Sequence, residues 1–141
     1  MAFLNRVNRG FRSRVRKLSL ALGEAALTAA ATSEAVAIGT IPSGATVLGS
    51  EVQLATPFSG GGASTCVVDI GSTGDADAIV DGANLFASAV DGQAATKPAG
   101  IAPNKTFATA TVLNATVTAD VNVVGLTAGA ATIVVYYAEA E

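Results

Sequence analysis

The sequence predicts a mainly β chain: an antiparallel β-sandwich of the jelly-roll kind, preceded by an N-terminal basic amphipathic α-helix. Three observations predict it. Residues 106–124, "TFATATVLNATVTADVNVV", alternate apolar and polar side chains with the two-residue period of a half-buried strand. Short Val/Ile/Leu runs elsewhere are punctuated every few residues by Gly and Pro, as in sandwiches with many tight connections. Before residue 23, by contrast, apolar residues recur at spacings of three and four.

The N-terminal element is the most distinctive. Leu4, Val7, Phe11, Val15, Leu18 and Leu22 fall within an arc of roughly 80° on a helical wheel. Arg6, Arg9, Arg12, Arg16 and Lys17 lie mostly opposite, and Arg14 sits at the stripe's edge. Gly10 costs such a helix about 1 kcal/mol against Ala, so a partner surface would help it form. Residues 23–34, "GEAALTAAATSE", extend the helix or act as a linker. The expected organisation is therefore a helix and Ala-rich linker over 1–34, then one sandwich domain over 35–141.

Within the sandwich, strands are expected near Ala35–Ile41, Thr46–Thr56 and Ala63–Ile70, separated by Pro-Ser-Gly and Gly-Gly-Gly turns. Shorter strands are expected around Ile79 and Leu85–Val90, with Asp81-Gly82 and Asp91-Gly92 as tight turns. Residues 91–104, carrying Pro98 and Pro103, suggest a surface excursion. The β-branched and aromatic run "AATIVVYYAEA" closes the fold, with Tyr136 and Tyr137 on opposite faces and Gly125 or Gly129 marking the preceding turn.

Charge divides the chain sharply. Residues 1–17 hold six cations and no acid; the remainder holds Lys97 and Lys105 against eleven acids, a net −9. Trp is absent, and the apolar half of the composition is rich in Ala and Val. Small side chains gain little by burial, which favours covering further surface against copies of the chain or another protein.

Catalysis has little to work with. There is no His, which removes imidazole acid–base chemistry, His metal sites and the usual Ser-His or Cys-His nucleophile pairs. Cys66 is alone in "STCVVDIG" and reads as a half-buried strand residue. Asp69 and Asp120 stand in or beside strands as outward-facing acids, unpaired with any second carboxylate. The glycine clusters at 60–62 and 71–74 lack the Lys of a phosphate loop and the spacing of a dinucleotide loop. A non-enzymatic protein without a cofactor is expected.

One metal candidate needs weighing: "GDADAIVDG", with Asp75, Asp77 and Asp81 as hard oxygen ligands for Ca²⁺. Ile79 and Val80 occupy the fifth and sixth loop positions, and Phe86 stands where a bidentate Glu belongs. Turn chemistry around a short strand explains the segment better.

The basic segment admits several roles. As a secretory leader, its apolar stretch is broken by Gly23-Glu24, so it is expected to stay on the protein. Six charges and a short apolar run exclude a spanning helix, although a membrane-surface helix fits the stripe. Nucleic acid would meet an acidic body and find no interleaved aromatics for stacking. Docking into a protein groove or between subunits fits best, with Leu4, Val7, Phe11, Val15, Leu18 and Leu22 buried and the cations facing acidic groups.

Three later segments add a resemblance. "IPSGATVLGSEVQLATPF", "VVDIGSTGDADAIVDGANLF" and "VNVVGLTAGAATIVVYYAEAE" resemble small tailed-phage virion proteins of the head-decoration, head-fibre or tail-accessory type, over roughly residues 41–138. The resemblance implies a β-sandwich repeated on a phage particle, with other virion proteins and sister copies as partners. It brings no catalytic residue and does not cover the basic segment. The rivals are a secreted or surface adhesive β-domain with a leader, and a Ca²⁺- or carbohydrate-binding module built on the Asp75–Asp81 loop.

Overall fold

A computed structural model describes residues 14–86, 95–98 and 105–139. Among these described residues, nine strands run in the order β1 Arg14–Gly23, β2 Ser33–Ile41, β3 Thr46–Ser59, β4 Cys66–Ser72, β5 Asp75–Asn84, β6 Ala95–Pro98, β7 Lys105–Thr106, β8 Thr111–Ala119 and β9 Ala128–Glu139. They form two antiparallel sheets. One has the order β1-β9-β3-β6, with β7 also on β3; the other is β2-β8-β4-β5. Successive strands β1 to β4 alternate between the sheets, so few sequence neighbours pair with one another.

The strands follow from alternation. In β8, Leu113, Ala115, Val117 and Ala119 are buried while the residues between them reach outward. In β9, Ala131, Ile133, Val135 and Tyr137 point into the core, and Tyr136 lies on the other face, as its position in the run predicts. These rows meet Val47, Val52 and Leu54 of β3 and Ile38, Ile41, Val68 and Ile70 of the opposite sheet. Each fully buried Val, Leu or Ile contributes about 1.5–3 kcal/mol, so this shared interior is what binds the sheets together.

The expected helix over 3–22 is corrected where the structure describes it. Arg14–Gly23 is strand β1, paired residue by residue with β9 from Arg14↔Glu139 to Gly23↔Ala130. The reason is a coincidence of periods. Leu18 and Leu22 are four apart, which satisfies a helix, yet with Leu20 they also alternate as an edge strand requires. Leu22 is buried, and Leu18 and Leu20 pack on the core from half-buried positions. Pairing with β9 satisfies backbone groups and buries the leucines at once. Residues 1–13 lie outside the described residues.

Two further expectations change. Residues 14–34 belong to the same sandwich as the rest: the turn Glu24–Ala26 joins β1 to β2, which already begins at Ser33. Asp81-Gly82 makes a bulge inside β5, because Val68↔Ala83 and Ile70↔Val80 leave one extra residue on β5. Gly82 takes φ of 66°, and its amide donates to Asp69 Oδ1 at 2.6 Å, pinning the kink. The excursion expected over 91–104 includes strand β6 on β3, whereas the strand expected near Leu85–Val90 falls partly outside the described residues.

Two glycines permit close approach, Gly129 of β9 beside Phe58 of the neighbouring strand β3 and Gly39 between the two layers. A Cβ at Gly129 would run into the ring of buried Phe58, and one at Gly39 would stand 3.0 Å from Leu18 Cδ2. The second contact marks the corner where β1 of one sheet lies over β2 of the other.

Candidate interaction surface

The residues singled out from the sequence separate into three groups. Leu4, Arg6, Val7, Arg9, Phe11 and Arg12 lie outside the described residues. Leu18 and Leu22 turn toward the chain's own core, so a single stripe joining them to an exposed Val15 is not formed. Val15, Arg16 and Lys17 are exposed at the start of β1, with Val15 66% accessible. An accessible valine on an edge strand is what a docking surface offers and what a closed core does not.

Among the described residues, β1 is the outer strand of its sheet, with β9 along one of its backbone edges and no strand along the other. Its basic end is structured by β9. Arg16 Nε donates to Glu139 Oε2 at 2.7 Å, an ion pair whose members remain 49% and 29% accessible. Lys17 stands opposite Tyr136. The Tyr136 hydroxyl donates to Glu51 Oε2 at 3.4 Å, and burial followed by the Glu51 charge raises the phenol above its ordinary pKa. Val15, Arg16, Lys17, Tyr136 and Tyr137 line a shallow groove of about 510 Å³. Chemically, this surface offers cations, a phenol and, among the described residues, the outer edge of a strand. That set suits a protein contact.

The far edge of the other sheet is acidic. Asp75, Asp77 and Asp81 are exposed along β5. Lys105 Nζ lies 3.5 Å from Asp75 Oδ2 and 5.9 Å from the centroid of the Phe107 ring. The hydrogen bond with Asp75 raises the Asp77 carboxyl above its ordinary pKa, and the charges of Asp75 and Asp81 push the same way. Among the described residues, no three Asp, Glu, Cys or His side chains are placed to hold a metal ion. The Asp75–Asp81 segment is an edge strand, its apolar Ile79 and Val80 buried in the sandwich.

The other polar groups have structural roles. Cys66 is fully buried at the start of β4, and burial, then Asp120, pushes its thiol up to about 11. A thiol so held is a poor nucleophile at neutral pH. Asp120 accepts from the amides of Ser64 and Thr65 at 2.9 and 3.1 Å and from the Ser64 hydroxyl, which lowers its pKa to about 2. Glu34 accepts from the amides of Thr28 and Ala29 at 2.7 and 2.9 Å and so closes the loop into β2.

Sequence reasoning missed Glu139 and Tyr136 as partners of the basic segment. The signal that would have found them is the unbroken alternation Leu18-Ser19-Leu20-Ala21-Leu22, which calls for a strand and hence a neighbour.

No family model and no curated protein matches the chain. Its fold is similar to that of a solved chain described as the cyanophage Pam1 capsid asymmetric unit, with a TM-score of 0.61 over 92% of this chain and 87% of that one. The two sequences are 19% identical over that match, so the comparison establishes a shared β-sandwich architecture.

Proposed function

We propose that the chain is a non-enzymatic structural protein of a phage virion, held on the particle or to sister subunits by its N-terminal segment and displaying its sandwich as a decoration or fibre-like body. The observation that carries this is the fold likeness to a capsid component over 92% of the chain. The strand order supports it: β1-β9-β3-β6 opposite β2-β8-β4-β5 is the connectivity of a jelly roll, an architecture frequent in viral shells. The basic residues Arg6, Arg9 and Arg12, with Leu4, Val7 and Phe11 between them, supply the anchor in this reading, continued by exposed Val15, Arg16 and Lys17. Other virion proteins and copies of the chain are the partners.

Mass spectrometry of gradient-purified particles of the encoding phage should find the protein at a fixed ratio to the major shell protein. Its absence from clean particles would overturn the virion assignment. Deleting residues 2–13 leaves β1 in place and tests the anchor. The truncated protein should fold and yet be depleted from particles, whereas full occupancy would refute the anchoring role.

A further inference from the structure

The sandwich carries opposite charge on its two lateral sides. On one side, Arg14, Arg16 and Lys17 are exposed within the first four residues of edge strand β1. On the other, Asp75, Asp77 and Asp81 are exposed along β5, the edge strand of the opposite sheet. Leu18 packs over Gly39 of β2, which places β1 above β2, and β5 stands at the far end of the β2 sheet.

The two patches also share one height. Arg14 is opposite Glu139, and the adjacent Ala138 is opposite Thr46 of β3. Thr46 is opposite Thr106, and neighbouring Lys105 reaches Asp75. This succession of cross-strand pairs sets the basic start of β1 and the acidic start of β5 at the same end of the molecule. Among the described residues, both patches keep exposed charges. Glu139 engages Arg16 and Lys105 engages Asp75, while Lys17 on one side and Asp77 and Asp81 on the other stay exposed.

We propose that a second copy of this chain docks laterally, with its basic β1 edge (Arg14, Arg16, Lys17) against the acidic β5 edge (Asp75, Asp77, Asp81) of the first. Two copies standing side by side in the same orientation bring the start of β1 in one to the height of Asp75 in the other, with Asp77 and Asp81 following along β5 in the facing sheet layer. Each copy presents one edge of each kind, so the contact is head-to-tail and closes into a ring or extends as a row. Exposed Val15 beside the cations adds an apolar point to the contact. A cation arriving at β5 also relieves the mutual repulsion of its three carboxylates. Edge charges that only prevent strand-to-strand aggregation need no separation by sign, and here cations predominate at the start of β1 and carboxylates along β5, with Glu139 and Lys105 as the exceptions. The contact stands independently of the virion assignment: absence from particles leaves it intact, and a monomeric chain leaves that assignment intact.

Sedimentation equilibrium on the full chain tests it at about 20 mM and about 500 mM salt, since exposed charge pairs are screened within a few ångströms at the higher value. The wild-type chain should self-associate, and high salt should weaken it. Arg14→Glu with Lys17→Glu, and separately Asp77→Lys with Asp81→Lys, should each raise the dissociation constant by at least about tenfold. Mixing the two variants should restore association, because the acidified β1 of one meets the basic β5 of the other. Circular dichroism checks folding, and the single changes Lys17→Glu and Asp81→Lys serve if a double variant does not fold. A monomeric wild type, variants that associate as it does, or a mixture that stays apart would each overturn the proposal.

Discussion

At the scale of single residues, the polar side chains of this protein hold loops in place. Asp120 is the clearest case, because the amides of Ser64 and Thr65 and the Ser64 hydroxyl converge on one carboxylate. Those bonds favour the charged form, so its pKa falls from 3.8 to about 2 on folding. A carboxylate depressed in this way contributes stability that is fully present above 3.8 and is lost as pH falls through about 2. Replacing Asp120 with Asn should therefore lower the melting temperature at pH 6. The difference from wild type should shrink as melts are recorded from pH 4 down to pH 2. A gap that stayed constant over that range would remove the charge from the explanation.

At the scale of elements, β1 is where two descriptions of one sequence compete. A helix makes Val15 and Leu22 equivalent members of one stripe; a strand buries Leu22 and leaves Val15 in solvent. Leu22→Ala should then cost about 2–5 kcal/mol in urea unfolding. Val15→Ala should stay within about 0.5 kcal/mol of wild type. Equal losses would favour the helical stripe. Strands β2, β3, β8 and β9 were legible in the sequence because alternation there is long or bounded by Pro-Ser-Gly and Gly-Gly-Gly turns. β1 was not, because Leu18 and Leu22 satisfy both periods and the arginines before them read naturally as a helix face. Asp81-Gly82 was misread for a related reason: the dipeptide that makes a hairpin turn also makes a bulge, and only pairing with Asp69 decides between them. Of the candidate surface, the basic residues of β1 could be named from the sequence, but their level with Asp75 could not, since it depends on pairings across four strands.

On the scale of the whole molecule, the described residues form one sandwich in which β1 is a full member of the larger sheet. The bonded amides of β1 should thus exchange with solvent through the same cooperative opening as those of β9. Hydrogen exchange with mass spectrometry on the full chain checks this. Protection of residues 14–23 should fall in parallel with that of residues 128–139 as denaturant is added. Early, separate loss of β1 would instead mark the N-terminal segment as an independent module. The same unity explains how a net-acidic chain presents a local excess of cations: Arg14, Arg16 and Lys17 are gathered at the start of one edge strand, with the acids of β5 on the opposite side.

The place of β9 between β1 and β3 bears on the order in which the protein is made. A ribosome delivers β1 and β3 early and the strand that joins them last. With 104 residues separating Gly23 from Ala128 and synthesis adding about 5–20 residues per second, β1 waits roughly 5–20 s for its partner. Throughout that interval the growing chain holds the leucines of β1 and the valines of β3 without the strand that covers them.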